Sequence, residues 1–336
     1  MKKSRVFSTL IGAVLSLPLS LSSAIAADPV NLTIIAQQPG SSFYAYATTI
    51  SQLLNESLPE GSSVNIVPRG GSVANPTALN AGNGDLAFGL SYTAKLAYLG
   101  DEEVYAGRGA HKNIMGVTGG MHMSYTYVLA RRDYIEKTGL SSLEEMLASD
   151  DLPRIAMKPQ GSIVLPIAEN ILSTYGWSLE KLRDAKKLTQ GQPSQISEML
   201  RDNRVDVYFE NAPTNHAGVT EVTLTNDMMF LPISKEASDL LVENGMTAQT
   251  VPAGTYRGME EDYETTATGM VIMANKNSSE DAIYEFTKAI AEGYNQLVSE
   301  NAALSHWDPK ATIGIEFTAL PLHPGAEKYY KEAGWK

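Results

Sequence analysis

The chain has 336 residues, no cysteine, and 38 acidic side chains against 26 basic ones, giving a formal charge of −12 at pH 7. The missing cysteines exclude disulfides, thiolate chemistry and a lipid anchor on an N-terminal cysteine. The acidic balance disfavours nucleic acid and anionic lipid as partners, and the length fits two domains of ordinary size.

The first residues read as an export signal. Lys2, Lys3 and Arg5 form a basic start, an apolar stretch runs from Val6 to Leu21, and Ala24-Ile25-Ala26 places small residues at a cleavage spacing. The apolar run contains Pro18 and is shorter than the roughly 18–20 residues a membrane span needs. A signal peptide is therefore expected over 1–26. Its removal takes three positive and no negative charges, moving the formal charge from −12 to −15. No later segment is apolar enough to span a bilayer, so a free, monomeric protein of a bacterial periplasm is expected. On so acidic a chain, an anion site has to be built from local donors.

From there strands and helices alternate. Val30–Gln37 reads as a strand and Ser42–Asn55 as a helix, with Phe43, Ala47, Ile50 and Leu54 on one face. Val64–Val67 is a strand, Ser72–Asn80 a helix, Asp85–Leu90 a buried strand and Tyr92–Leu99 a short helix. Ser124–Ala130 is a strand, and Ser141–Ala148 a helix whose Ser141 and Glu144 match a capping box. Arg154–Met157, Val205–Phe209 and Thr268–Ala274 read as strands. Ser162–Tyr175, Pro193–Arg201, one long amphipathic run over Ser279–Ser299, and Pro324–Ala333 read as helices. Such alternation predicts α/β sheets with helices on their faces. The layout repeats without close sequence repetition, which suggests two lobes: 27–122 with 256–336, and 123–255. Hinge candidates are the glycine-rich stretches 116–120 and 254–258.

Three places share one chemistry: Gly40-Ser41-Ser42, Gly70-Gly71-Ser72 and Gly161-Ser162. Each follows a predicted strand and opens a predicted helix. Unpaired N–H groups and the helix dipole there favour a carboxylate or phosphate, glycine permits close approach, and serine adds a donor. Serine caps and glycine turns are also ordinary structural devices. Ser91-Tyr92 and Glu210-Asn211 follow predicted strands, so they fall on the same carboxyl rim, where open α/β sheets bind ligands. Asn75 is placed to donate an amide, and Arg69 and Lys158 to pair with a carboxylate. Tyr44 and Tyr256 are candidate walls. Glu210 either receives a ligand ammonium, orients a donor or water, or is a solvated loop carboxylate.

The segments PGSSFYAYATTISQLLN, PRGGSVANPTALNAGNGDLAF, KPQGSIVLPIAENIL, RDNRVDVYFENAP, VPAGTYRG and PLHPGAEKYYKEAGW carry a resemblance over nearly the whole mature chain. The sequence resembles the TAXI family, the solute-binding proteins of one branch of TRAP transporters. The resemblance implies a type II-like, two-lobed periplasmic binding protein with mixed sheets flanked by helices. Such a protein closes on a small organic solute and hands it to membrane permease subunits driven by an ion gradient. It implies a site around Ser42, Tyr44, Ser72, Asn75, Ser91, Ser162 and Asn211, with Gly71 giving the ligand access to the backbone. Arg69 stands where a small polar residue is more usual and Tyr92 where an acidic one is frequent. Both make the pocket less negative and favour an anionic ligand, with Glu210 acting in the opposite sense. The expected ligand is a C4–C5 dicarboxylate or 2-oxo acid such as 2-oxoglutarate, with glutamate the alternative.

An enzyme is not expected. No serine lies in a G-x-S-x-G elbow, and H-E-x-x-H, Walker and Ca²⁺-loop patterns are missing from the sequence. Gly82-x-Gly84-x-x-Ala87 precedes a strand instead of joining strand to helix, so it is no dinucleotide fingerprint. The five histidines are scattered, so no metal and no cofactor is expected. His323 reads as a helix-entry contact. A periplasmic sensor, presenting its ligand to a receptor, would use the same fold and pocket.

Overall fold

The structure, a computed structural model, describes residues 29–37, 39, 41–102, 104–159, 162–191 and 193–336. The expected signal peptide over 1–26, and Gly40 and Gly161 of the serine motifs, lie outside the described residues. In chain order the elements are β1 (Asn31–Ile35), α1 (Ser42–Ser57), β2 (Ser63–Val67), α2 (Ala74–Asn80), β3 (Leu86–Leu90), α3 (Ser91–Leu99), β4 (Ile114–Thr118), β5 (Met123–Arg131), α4 (Arg132–Thr138), α5 (Leu143–Ala148), β6 (Ile155–Met157), α6 (Val164–Thr174), α7 (Leu179–Asp184), β7 (Leu188–Gln190), α8 (Pro193–Arg201), β8 (Val207–Ala212), α9 (Ala217–Thr225), β9 (Met228–Phe230), α10 (Lys235–Glu243), β10 (Thr247–Val251), β11 (Tyr263–Asn275), α11 (Glu280–Glu292), α12 (Tyr294–Glu300), α13 (Ile315–Thr318) and α14 (Pro324–Glu332). Among the described residues no helix is long and apolar enough to cross a membrane.

The fold is a two-lobed α/β arrangement in which one long strand belongs to both sheets. β1 pairs in parallel with β2 and β3, and β6 pairs in parallel with β7 and β8. β11 joins the two groups. Its first part, up to Gly269, runs antiparallel to β10 and β5, and from Met270 onward it runs antiparallel to β3 and β4. The chain thus leaves the sheet of β5 and enters the sheet of β3 within one strand. This exchange lies beyond 256, where the sequence suggested a return to the first lobe.

Local chemistry explains most boundaries. Ser41 caps α1 by accepting the Tyr44 N–H at 3.2 Å, and buried Phe43, Tyr46, Ala47, Ile50, Leu53 and Leu54 repeat at helical spacing. The helix ends where Leu58, extended at ψ 154°, precedes Pro59. Two expectations shift. The capping box of α5 is Ser142 with Glu145, not Ser141 with Glu144, because Ser142 takes the Glu145 N–H while the Glu145 carboxylate accepts from both serines. The long helix expected over Ser279–Ser299 breaks at Gly293 into α11 and α12. A Cβ there would stand 2.7 Å from the Ala289 carbonyl and 2.9 Å from Leu53, so α1 packs directly against the break.

One apolar cluster packs α1, α11 and α14 on the sheet of β1 and β3. A second packs α8 and α9 on β5 and β8. The third is continuous between the lobes: Ile35, Ala87 and Tyr92 share it with Met157, Val164, Phe209 and Leu241.

Candidate functional site

Strand register locates the meeting point of the two lobes. Leu90, the last residue of β3, lies opposite Met270, and Met123, the first of β5, lies opposite Gly269. Ala212, the last of β8, lies opposite Tyr125. The carboxyl ends of β3 and β8 therefore both point at the Gly269–Met270 exchange, and β1, β2, β6 and β7 run parallel to them. A cavity of about 240 Å³ sits at this exchange, between His122 and Ala302 on one side and Tyr125, Pro213 and Thr214 on the other. Burial lowers the His122 pKa, and its Nδ1 lies 3.3 Å from the Tyr46 hydroxyl. Another cavity, of about 690 Å³, is lined by Arg132, Phe230, Met259 and Glu260 at the far end of β5, and holds none of the expected site residues.

On the first lobe, Asn75 is fully buried and its amide is already committed. It donates to the Ala36 and Phe88 carbonyls at 2.7 and 2.8 Å, and its oxygen accepts the Gly71 N–H at 2.9 Å. The expectation of a ligand-donating Asn75 is corrected: it ties the loop after β2 to the ends of β1 and β3. Gly70 is required beside it, with φ +101° and an imaginary Cβ only 2.0 Å from Asn75 Oδ1. Gly71 and Ser72 line a cavity of about 390 Å³ that is closed on its other side by Val104, Tyr105 and Arg108. α2 starts at Ala74 instead of Ser72, and Ser72 caps nothing. Arg69 is exposed and does not line this cavity.

Ser91 and Tyr92 also turn inward. Ser91 Oγ accepts the Gly269 N–H at 3.2 Å and lies 3.1 Å from Thr268 Oγ1, which accepts the Tyr92 N–H at 3.2 Å. Ser91 thus pins β11 at the point where it changes sheets. Tyr92, fully buried, donates to the Pro166 carbonyl at 3.1 Å and accepts from Asn170 at 2.7 Å, while Asn244 donates to Asn170 Oδ1 at 3.0 Å. It is a bridge from α3 to α6. Ser91 and Tyr92, expected as ligand contacts, are buried here and bonded to β11 and α6.

On the second lobe, Glu210 is no free receptor. Its carboxylate takes Lys158 Nζ and the Asn211 N–H, each at 2.7 Å, and the Tyr208 hydroxyl. Burial and that neighbouring carboxylate push the Tyr208 phenol well up. The side chain of Glu210 has no exposure and that of Lys158 has 24%, so Lys158 is the charge of this pair that reaches solvent. Asn211 donates to the Ser124 carbonyl at 3.2 Å. Tyr256 donates to the Pro213 carbonyl and accepts the His216 N–H, both at 3.0 Å, and its ring stacks on Phe230. It braces the loop after β8 and is no ligand wall. Burial, with the Lys158 charge second, lowers the His216 pKa. Ser162 Oγ accepts the Val164 N–H at 3.3 Å and stays half-buried beside α6. Ser42 is exposed at the start of α1, and Tyr44 is half-buried.

The model of the NMT1-like family matches residues 34–334. The chain belongs to the NMT1-like family. Two solved structures share the fold of this NMT1-like protein. One is a TctC solute-binding protein from Polaromonas, 11% identical over 91% of this chain and 98% of that one, with a TM-score of 0.50. The other is MatC from Rhodopseudomonas palustris, solved with bound malate, 14% identical over 92% and 98%, also at 0.50.

In this NMT1-like chain, the expected residues left with reachable polar groups are Ser42, Tyr44, Arg69, Ser72, Lys158 and Ser162. Arg108, Tyr208, His216 and Thr268, which were not expected, stand beside Ser72, Glu210, Lys158 and Ser91. None carries a motif; Thr268 alone had a readable signal, as the first residue of an expected strand. Among the described residues, no group of three or more His, Asp or Glu has a metal-holding arrangement.

Proposed function

We propose that this chain is a periplasmic solute-binding protein of the TAXI type, which captures a small organic acid between its lobes and passes it to a TRAP permease. The observation that carries the reading is the convergence of the carboxyl ends of β3 and β8 on the Gly269–Met270 exchange. Loops carrying Ser42, Ser72, Lys158 and Ser162 belong to that common edge, and the shared strand β11 is the natural flexing element. A ligand touching both sets of loops favours the closed state, because that state alone makes both sets of bonds. Ordered water completes contacts that side chains do not reach.

The ligand best suited is a C4–C5 dicarboxylate or 2-oxo acid such as 2-oxoglutarate. Lys158, paired with Glu210 and 24% exposed, offers N–H donors at the second lobe. Glu210, neutralised by Lys158 and bonded through both oxygens, offers no free carboxylate to an ammonium. That observation ranks an oxo acid above glutamate. Export through the signal at 1–26 belongs to the same reading; N-terminal sequencing of the exported protein tests it, with a chain beginning at Ala27 as the expected result.

A thermal-shift panel of dicarboxylates, oxo acids and amino acids tests the reading. At a hundredfold excess over Kd, the cognate acid raises Tm by about 5 °C. A panel in which glutamate alone shifts Tm moves the reading to the amino-acid alternative, and a panel with no shift overturns it. Ser72→Ala weakens the responding ligand by about 1 kcal/mol for one lost hydrogen bond.

A further inference from the structure

We propose that His122 selects the 2-oxo group of the bound acid, by donating a hydrogen bond from Nε2 into the cavity at the strand exchange. Such a contact, which presupposes the solute-binding reading, separates an oxo acid from the matching amino acid. The cavity of about 240 Å³ falls short of the roughly 300–1,000 Å³ that drug-sized ligands occupy, so it suits a smaller molecule. Both lobes line it. Tyr125, Pro213 and Thr214 come from β5 and the loop after β8, and Ala302, Ala303 and Ser305 from the turn after α12. That turn is anchored, because Leu304 is buried and Trp307 donates to the Gly119 carbonyl at 3.1 Å. Among the described residues no Asp, Glu, Lys or Arg lines the cavity, so ligand contacts there come from neutral groups.

The direction of the imidazole is fixed. The His122 carbonyl accepts the Met270 N–H at 2.9 Å, which holds the residue on the exchange itself. Its Nδ1 lies 3.3 Å from the Tyr46 hydroxyl, and the two rings meet edge to face with centroids 6.4 Å apart. Tyr46 is buried, and among the described residues Nδ1 is the one partner of its hydroxyl. A buried phenol with a single partner satisfies its proton by donating it. Nδ1 is therefore the acceptor, and the proton of the neutral imidazole sits on Nε2. Burial lowers the His122 pKa, so the ring is neutral at pH 7. Ring geometry turns Nε2 away from Tyr46. Among the described residues Nε2 has no hydrogen-bond partner, yet it is not an enclosed atom, so it opens to the cavity that the ring lines. A donor at this place matches a carbonyl oxygen. A 2-oxo acid presents one, a 2-hydroxy acid presents a hydroxyl that can also accept, and a 2-ammonium group sets N–H against N–H. A methylene leaves the Nε2–H without a partner once closure removes water.

Calorimetry at neutral pH with 2-oxoglutarate, 2-hydroxyglutarate, glutarate and glutamate tests this. The wild-type protein is expected to bind 2-oxoglutarate about tenfold more tightly than glutarate or glutamate, with 2-hydroxyglutarate between. His122→Phe keeps an aromatic ring and removes the donor. It is expected to lose about tenfold for 2-oxoglutarate and less than about twofold for glutarate. Tyr46→Phe frees Nδ1 to carry the proton and is expected to lose part of the same preference. Histidine ¹⁵N NMR of the ligand-free wild type is expected to show the His122 proton on Nε2. A proton on Nδ1, a 2-oxo preference that survives His122→Phe, or an equal loss for 2-oxoglutarate and glutarate overturns the proposal while leaving solute binding intact. Glutamate bound as tightly as 2-oxoglutarate by the wild type overturns it as well. Should His122→Phe fail to fold, the ¹⁵N spectrum and Tyr46→Phe decide, an unchanged 2-oxo preference in Tyr46→Phe counting against it. A wild-type protein that binds none of the four probes overturns the organic-acid reading and this proposal with it.

Discussion

The loop after β2 and the loop after β6 carry similar glycine-serine sequences, yet they are held in place by opposite kinds of device. The first is a neutral backbone device. Asn75 commits its whole amide to holding the loop, and Gly71 and Ser72 beside it line a cavity. The second is a buried charge device, in which Glu210 holds Lys158 and Lys158 alone of the pair reaches solvent. A backbone device tolerates side-chain change as long as the loop keeps its shape. A charge device fails when either partner is removed, because the other is left uncompensated in the protein interior.

The largest expected effect breaks the charge device. Lys158→Met leaves Glu210 with no exposure and no counter-charge, and is expected to cost about 3–5 kcal/mol in urea unfolding. Adding Glu210→Gln to it restores much of the loss, since the neutral amide still accepts the Asn211 N–H through its oxygen while its NH2 donates to the Tyr208 oxygen. A cost of Lys158→Met below about 1 kcal/mol would place the pair in the class of solvated surface bridges and remove the contrast between the two loops.

The backbone device breaks through Asn75. Asn75→Ala strips partners from two carbonyls and one N–H that are packed at the ends of β1 and β3, with an expected cost of about 2–3 kcal/mol. Gly70→Ala drives a methyl into the same amide and forces an L-residue to φ +101°. Because both substitutions undo one contact, the double variant is expected to cost far less than the sum of the two, which a double-mutant cycle in urea measures. Additive costs would show that Gly70 and Asn75 act separately and that the loop has another anchor.

The difference between the loops also explains what was legible in the sequence. Strands such as β3 were readable because short apolar runs like Leu86–Leu90 end at turn or polar residues, whereas β4, β7, β9 and β10 were not foreseen, and β8 runs on to Ala212, past the expected end at Phe209. The helix starts were readable to within a residue or two. At α5, however, Ser141-Ser142 and Glu144-Glu145 offer two equivalent registers, and only packing chose the second. The break at Gly293 depends on Leu53, far away in the chain, so helical periodicity carried no trace of it. The carboxyl rim was legible through the spacing of its serines. Which rim side chains face inward was not. Asn75, Ser91 and Tyr92 satisfy backbone groups of β1, β3, β11 and α6, and the sequence does not show which carbonyl lies within reach. Arg108 sits in a loop without a motif, and only the fold sets it across a cavity from Ser72.

A smaller effect concerns the bridge between the two regions. Tyr92→Phe keeps the ring in the shared core and removes the hydroxyl that joins Pro166 and Asn170. The expected cost is about 1 kcal/mol in stability. If the bridge acts as a hinge contact, small-angle scattering of the ligand-free variant will show a more extended average shape than wild type. An unchanged scattering profile would make Tyr92 a packing residue only.

The smallest effect is the pH dependence, and it separates the two devices without touching the ligand. Burial lowers the pKa of His122, His216 and His323 below the ordinary histidine value of 6.5. Above 6.5 each is neutral whether folded or unfolded, and stability is unaffected. As the pH falls below 6.5, the unfolded chain takes up protons that the folded chain refuses, so stability declines until each folded pKa is reached. The loss is at most about 1.4 kcal/mol per histidine at pH 5.5. Carboxylates held down by partners, such as Asp133 beside Arg131, act only at lower pH, near and below about 4. His216 stands beside the charge device, where Lys158 opposes a second positive charge. His216→Gln is therefore expected to flatten the fall of Tm between pH 7 and 5.5, and Gly70→Ala to lower Tm equally at both. A slope unchanged by His216→Gln would mean that His216 is as solvated when folded as when unfolded, and that the Lys158–Glu210 network is open to water.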